Sequence, residues 1–228
     1  MSVAKQELLS VAEACHGFAS KLPPRISYSI KDAVSVVGSV PTAYRRLKAM
    51  RQLGLATLYR GQFQINRAAR QPLHILEKLI PSLISLKNEK RFGRKYHISD
   101  VTFLKKHLPK GAFITLDYRA WELTAYQYPK DLYVYVDDIE KTSTFLKTNG
   151  FSEGTKGHVA LLQKQADSRD SIEQVYLDCI AKGGRSILDA IAIELKYGNQ
   201  LGVRGRFNME DILKVQDDMQ TLSLEKAT

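Results

Sequence analysis

The sequence predicts an α+β chain in two parts: a helical module closed by one hairpin over residues 1–88, and a mixed α/β domain with a small sheet over residues 89–228. Three observations carry this reading. Residues 6–53 place apolar side chains at helical spacing in three short blocks, and Leu55 to Asn66 then alternates around Arg60-Gly61. Beyond residue 96, strand-like runs at Leu132 to Val136 and Val159 to Gln163 are interleaved with helical blocks. Charge is also divided unevenly: residues 1–95 hold 17 Lys and Arg against 5 Asp and Glu, and residues 96–228 hold 17 against 19.

The first block, Gln6 to Leu22, carries Leu8, Leu9, Ala12, Cys15, His16 and Phe18 at helical spacing and stops at Pro23-Pro24. Ile26 to Tyr28 reads as extended. Ser29 is placed to cap a second helix through Val37, with Lys31 and Asp32 in its first turn and Gly38 as its stop. Gly38-Ser39-Val40 then makes a tight turn, and Pro41 or Thr42 begins the third helix.

That third helix, Thr42 to Leu53, has two unlike faces. Ala43, Leu47, Met50 and Gly54 fall on one side, with Leu53 at its edge, while Arg45, Lys48 and Gln52 point the opposite way. Tyr44 and Arg51 flank the polar face on one side and Arg46 on the other. No acidic residue occurs in the forty-four positions between Asp32 and Glu77, which include Arg45, Arg46, Lys48, Arg51, Arg60, Arg67 and Arg70. Solubility does not require that acid be excluded, so the stretch reads as a surface for phosphate.

In the hairpin, Thr57 and Tyr59 alternate with Ala56 and Leu58, and Phe63 and Ile65 with Gln62 and Gln64; Arg60-Gly61 supplies a turn of positive φ. Helix, glycine turn, basic helix and hairpin, carried by Pro41-Thr-Ala-Tyr-Arg-Arg-Leu-Lys-Ala-Met-Arg-Gln-Leu-Gly-Leu55 and the two strands after it, resemble the winged helix-turn-helix family across residues 6–70. The resemblance implies a recognition helix in the major groove and a wing on the backbone or the neighbouring minor groove. Arg can bridge guanine O6 and N7, and Gln can bridge adenine N6 and N7. The residues expected at duplex DNA are Thr42, Tyr44, Arg45, Arg46, Lys48, Arg51, Gln52, Arg60, Gln62 and Gln64.

Leu73 to Leu86 reads as an apolar connecting helix in which Pro81 argues against continuity. Dimerisation and packing on the second part are equal readings of its apolar face. Lys87 to Tyr96 is polar and basic and is read as the connector between the parts. Further on, Ser99 is placed to cap a helix through Leu108, and Ala112 to Leu116 is a strand candidate. Helices are expected at Asp117 to Tyr126, at Ile139 to Asn149 with Gly150 as stop, at Ser171 to Ala181, at Ser186 to Tyr197 after Gly183-Gly184, and at Asn208 to Leu222.

Composition and motifs exclude several classes. With 44% apolar residues the chain can build a core, and no run approaches the roughly 20 apolar residues of a membrane span. Met1 to Leu9 has one Lys and no apolar stretch, so no secretory signal is expected. Cys15 and Cys179, without metal-ligand spacing, point to a reducing cytoplasm. The histidines at 16, 74, 97, 107 and 158 form no ligand pair at i, i+4. Gly38-Ser39 with Asp137-Asp138 has the residue types of a nucleotidyltransferase, but nearly a hundred residues apart, and Asp137-Asp138 reads more simply as a helix cap. No catalytic residue, metal or cofactor is expected.

Ala120-Trp121-Glu122-Leu123, followed by Tyr176-Leu-Asp178-Cys-Ile-Ala-Lys-Gly-Gly184-Arg-Ser-Ile-Leu-Asp-Ala190, resembles the C-terminal domain of AbiEi-type antitoxins. Asp117 to Ala120 and Tyr126-Gln127 differ from that domain's pattern. The resemblance implies a two-domain autorepressor of a toxin-antitoxin operon, with a cognate toxin protein as partner. The expected function is therefore that of a double-stranded DNA-binding transcriptional regulator, with a homodimer as a further expectation. A nucleic-acid-processing enzyme or accessory subunit, delivered to its substrate by the same module, is the alternative.

Overall fold

The computed structural model of the chain describes residues 3–23, 25, 27–94 and 99–225; Pro24, Ile26, residues 95–98 with Lys95, Tyr96 and His97, and the side chains of residues 3–8 with Leu8, of Ser99 and of residues 223–225 lie outside them. The first part holds α1 (Val3–Lys21), β1 (Tyr28–Ser29), α2 (Ile30–Val37), α3 (Val40–Gln52), β2 (Ala56–Tyr59) and β3 (Gln62–Ile65). The strands form an antiparallel sheet in the order β1-β3-β2. Ser29 caps α2 as expected and the exchange is reciprocal: its hydroxyl accepts from the Asp32 N–H, and the Asp32 carboxylate accepts from the Ser29 N–H at 2.7 Å. The Ser29 N–H, and after it the Ser29 hydroxyl donating to the same oxygen, hold the Asp32 carboxyl below the usual carboxylate range.

α4 (Leu73–Lys87) runs unbroken through Pro81, against the expected interruption. A proline at this position removes the bond to the carbonyl of Glu77, an exposed residue on a side of the helix that water reaches. The opposite side, with Ile75, Leu76, Leu79, Ile80 and Leu83, is buried. It packs between α1 and α8 (Ile172–Lys182). One core therefore runs from Phe18 and Met50 through Leu79 to Tyr135 and Ile180. Of the two readings of this segment, packing within the chain is the one the structure bears out.

The second part adds β4 (Lys90–Gly93), α5 (Ser99–His107), β5 (Phe113–Thr115), α6 (Leu116–Thr124), β6 (Leu132–Val136), α7 (Ile139–Thr148), β7 (Ser152–Glu153), β8 (Val159–Gln163), α8, α9 (Ser186–Tyr197) and α10 (Met209–Glu225). The sheet order is β5-β6-β8-β4-β7, with β6 and β8 parallel and the other pairs antiparallel. Tyr133, Tyr135, Ala160 and Leu162 face the core shared with α4 and α8. Leu132, Val134, Val136, Val159 and Leu161 face a second core with Leu104, Leu146 and Phe151. A sheet covered on both faces explains why β6 and β8 read as continuous apolar runs. Each large side chain fully buried there contributes about 1.5–3 kcal/mol.

β4 lies inside the segment read as a connector. Its pattern is hidden by Lys90 and by Arg91, which donates to Glu89, Asp131 and the Tyr133 hydroxyl. No helix among the described residues is long and apolar enough to cross a membrane.

Candidate nucleic-acid interface

α3 is set in place by its cap. Ser39 has extended backbone, its hydroxyl accepts from the Thr42 N–H at 3.4 Å, and it donates to Thr42 Oγ1 at 2.8 Å. The helix thus begins at Val40, two residues before Thr42. Ser39, expected in the turn, is therefore the cap, and Thr42, one of the two expected first residues, completes that cap and accepts from Arg45 Nη2 at 3.5 Å. Gly38, at φ 78°, makes the left-handed corner that aims α3 away from α2.

The two faces of α3 divide as the spacing predicted. Ala43, Leu47, Met50 and Leu53 are buried. Tyr44, 58% exposed, and Arg45, Lys48, Arg51 and Gln52 form one outward surface. Arg46 departs from this: it is half-buried and lies beside the Cys15 thiol of α1, where its charge offsets part of the upward push that burial gives that thiol. The Gln52 side chain stays exposed while its carbonyl accepts from Lys87 Nζ at 2.7 Å.

The hairpin has the two-residue turn that Arg60-Gly61 predicted. Tyr59 pairs with Gln62, and Arg60 and Gly61 have φ of 47° and 77°. Thr57, Tyr59, Gln62 and Gln64 lie on its outward face, and Phe63 on the inner one, stacked on Tyr28 with centroids 5.3 Å apart. The Arg60 guanidinium lies 5.1 Å from the centroid of the Tyr59 ring, which supports it at the tip. Between α3 and the hairpin lies a groove walled by Tyr44, Leu47, Lys48, Arg51, Leu58 and Phe63.

The acid-free stretch therefore splits. Arg70 donates to the Tyr28 hydroxyl at 2.6 Å and to the Pro23 carbonyl at 3.2 Å, and Arg67 pairs with Asp211 of α10. With Arg46, these three hold the chain together. No carboxylate among the described residues pairs with Arg45, Lys48, Arg51 or Arg60. These four and Lys87 lie around the α3 and hairpin surface, and a larger groove of about 890 Å³ continues from Lys48, Arg51 and Lys87 to Tyr133 and Lys182 in the second part.

Sequence reasoning missed two residues here. Lys87 gave no signal because thirty-five residues separate it from Gln52. Asn66 reads as an ordinary turn residue, yet its side chain accepts from the Ala68 N–H at 3.0 Å and donates to the Ala181 carbonyl at 2.8 Å. It ties the foot of the hairpin to the end of α8. Asp137 and Asp138 serve other ends: Asp138 accepts from the Lys141 N–H at the start of α7, and Asp137 pairs with Lys164. Comparison with family models, with curated proteins and with solved structures gave no match.

Proposed function

We propose that this protein binds double-stranded DNA as a sequence-reading transcriptional regulator, with α3 in the major groove and the β2–β3 hairpin on the backbone. The observation that carries the proposal is one continuous outward surface on α3, formed by Tyr44, Arg45, Lys48, Arg51 and Gln52, with Arg60 at the adjacent hairpin tip. An α-helix fits the major groove, and Arg and Gln at its centre are the side chains that make bidentate bonds to guanine and adenine. Helix, left-handed corner, second helix and hairpin follow in the order of a winged helix-turn-helix. Arg45 and Gln52 read bases in this account; Lys48, Arg51, Arg60, Gln62 and Gln64 hold the backbone.

The likeness of residues 176–190 to AbiEi-type antitoxins supports a second part that holds a cognate toxin protein. A two-fold dimer would use that part as well, since the apolar face of α4 is buried within the chain. Selection of bound sequences from a random duplex library tests the DNA-binding proposal. Enrichment of a motif in the wild type, degraded by Arg45→Ala and by Gln52→Ala, is the expected result; no enrichment over random duplex would remove the recognition role.

A further inference from the structure

α8 and α9 meet at Gly183-Gly184-Arg185-Ser186, where both glycines have positive φ. The corner opens a cavity of about 340 Å³ between α6, α8, α9 and the 127–131 segment. Its charges are unevenly matched. Lys182 donates to Asp117 Oδ1 at 2.6 Å while lying 4.2 Å from the Tyr133 ring centroid, and Ser186 donates to the same oxygen at 3.4 Å. Arg185 is held by Gln127 Oε1 and by the Tyr128 carbonyl. Gln127 also supports the carboxylate of Asp189, which is 3% exposed in the first turn of α9, but its Oδ1 is buried without a hydrogen-bond partner. A native carboxylate oxygen in that position calls for a donor.

We propose that this cavity binds a small organic cation with N–H donors, a primary amine or a guanidine, held between Asp189 and Asp117. The acceptor left over is Asp189 Oδ1, and Lys182 and Ser186 are committed to Asp117, so the missing partner is a donor carrying positive charge. Tyr128 lines the same space and suits an organic cation, whereas the Tyr133 ring already carries Lys182 and Arg91. No group of three or more His, Cys, Asp or Glu side chains among the described residues is arranged for a metal ion. Of the cations that line the cavity, Lys182 and Arg185 are already bonded and Lys130 is exposed to solvent, so an anion would find no buried positive charge to spare. The volume fits a ligand at the small end of the range for binding pockets.

Burial, and then the charge of Asp117, push the Asp189 carboxyl up to about 7. A bound cation favours its ionised form, so binding releases a proton and strengthens as pH rises. The groups facing Asp189 are Asp117 from α6, Cys179 and Lys182 from α8, Arg185 ahead of α9, and Tyr126, which donates to Asp218 of α10. Cys179, Tyr126 and Lys182 are all shifted upward and keep their protons near neutrality.

Calorimetric titration of the full chain with methylguanidine and with propylamine, and with propan-1-ol as the uncharged control, tests the proposal without reference to DNA. Expected are saturable one-to-one binding of at least one cation, none of the alcohol, and an affinity that rises about tenfold from pH 6 to pH 8. Asp189→Asn should weaken binding at least about tenfold, as removal of a charged partner does. Should that variant fail to fold, the pH dependence of the wild type decides. No saturable binding of either cation, a flat pH profile, or equal binding by a folded Asp189→Asn protein would overturn the site.

Discussion

Arginine plays opposite parts in the two halves of this molecule. On α3 and the hairpin tip, Arg45, Arg51 and Arg60 stand in solvent without a carboxylate among the described residues. In the second half, Arg91 bonds to Glu89 and Asp131, and Arg94 to Asp100, whose side chain is only 1% exposed. The same side chain is a structural fastener where acids surround it and an open donor fork where they are excluded. Charge count alone did not separate the two, because Arg46, Arg67 and Arg70 lie in the acid-free stretch and still work as fasteners.

The largest expected effect breaks a fastener. Asp100→Asn leaves Arg94 and His158 facing a neutral group, and should cost about 3 kcal/mol in urea unfolding, as removing one partner from a buried ion pair does. Arg94 and His158 hold the Asp100 carboxyl below its ordinary value, although burial alone would raise it. Its folded value lies below the unfolded one, so its stabilisation is present above the unfolded carboxylate pKa and is lost as pH falls through the folded value. Asp178, pushed up to about 6 by burial, has the opposite sign. Its contribution favours the folded state most below about pH 4 and declines as pH rises toward 6. Unfolding curves from pH 3 to pH 8 should resolve both limbs, with Asp100→Asn flattening the acid one.

Next in size are the open donors. Arg45→Ala and Gln52→Ala should each cost about 1–3 kcal/mol on the preferred duplex and leave unfolding within about 0.5 kcal/mol of the wild type. Arg60→Ala should weaken every sequence alike, read by anisotropy on specific and random duplexes. Equal losses on both duplexes for all three variants would remove the distinction between reading and holding.

Gly183→Ala comes third. At φ 71° its Cβ would lie 2.8 Å from Asn66 Oδ1, so a loss of about 1–2 kcal/mol is expected in thermal unfolding. The smallest effect belongs to Arg67→Ala. Its side chain is half-exposed in the pair with Asp211, and the loss should stay within about 1 kcal/mol, with duplex binding unchanged.

Local signals made much of the fold legible. Ser29 and Asp32, Gly38, Arg60-Gly61, Asp138 and Ser171 act within a turn or two of themselves, and each sits where its chemistry placed it. β6 and β8 were legible because a doubly covered sheet leaves unbroken apolar runs. β4 was not, since Lys90 and Arg91 answer to partners as remote as Glu140, Asp131 and Tyr133. At the candidate interface, the helical wheel separated Ala43, Leu47 and Met50 from Arg45, Lys48 and Gln52. It put Arg46 at the border of the two faces, where it is half-buried, but gave no sign of the thiol it meets, which comes from another helix. Lys87 and Asn66 depend on partners 35 and 115 residues away, beyond any local pattern.

The salt dependence of duplex binding tests the central claim most directly. Replacing Arg45, Lys48, Arg51 and Arg60 together by Ala should lower the slope of log K against log salt by up to about 3.6, at about 0.9 for each phosphate no longer neutralised. Replacing Arg46, Arg67 and Arg70 together should leave the slope of the folded protein unchanged. A fourfold variant that keeps the wild-type slope, or a threefold variant that loses it, would contradict the assignment of α3 and the hairpin as the face that meets DNA.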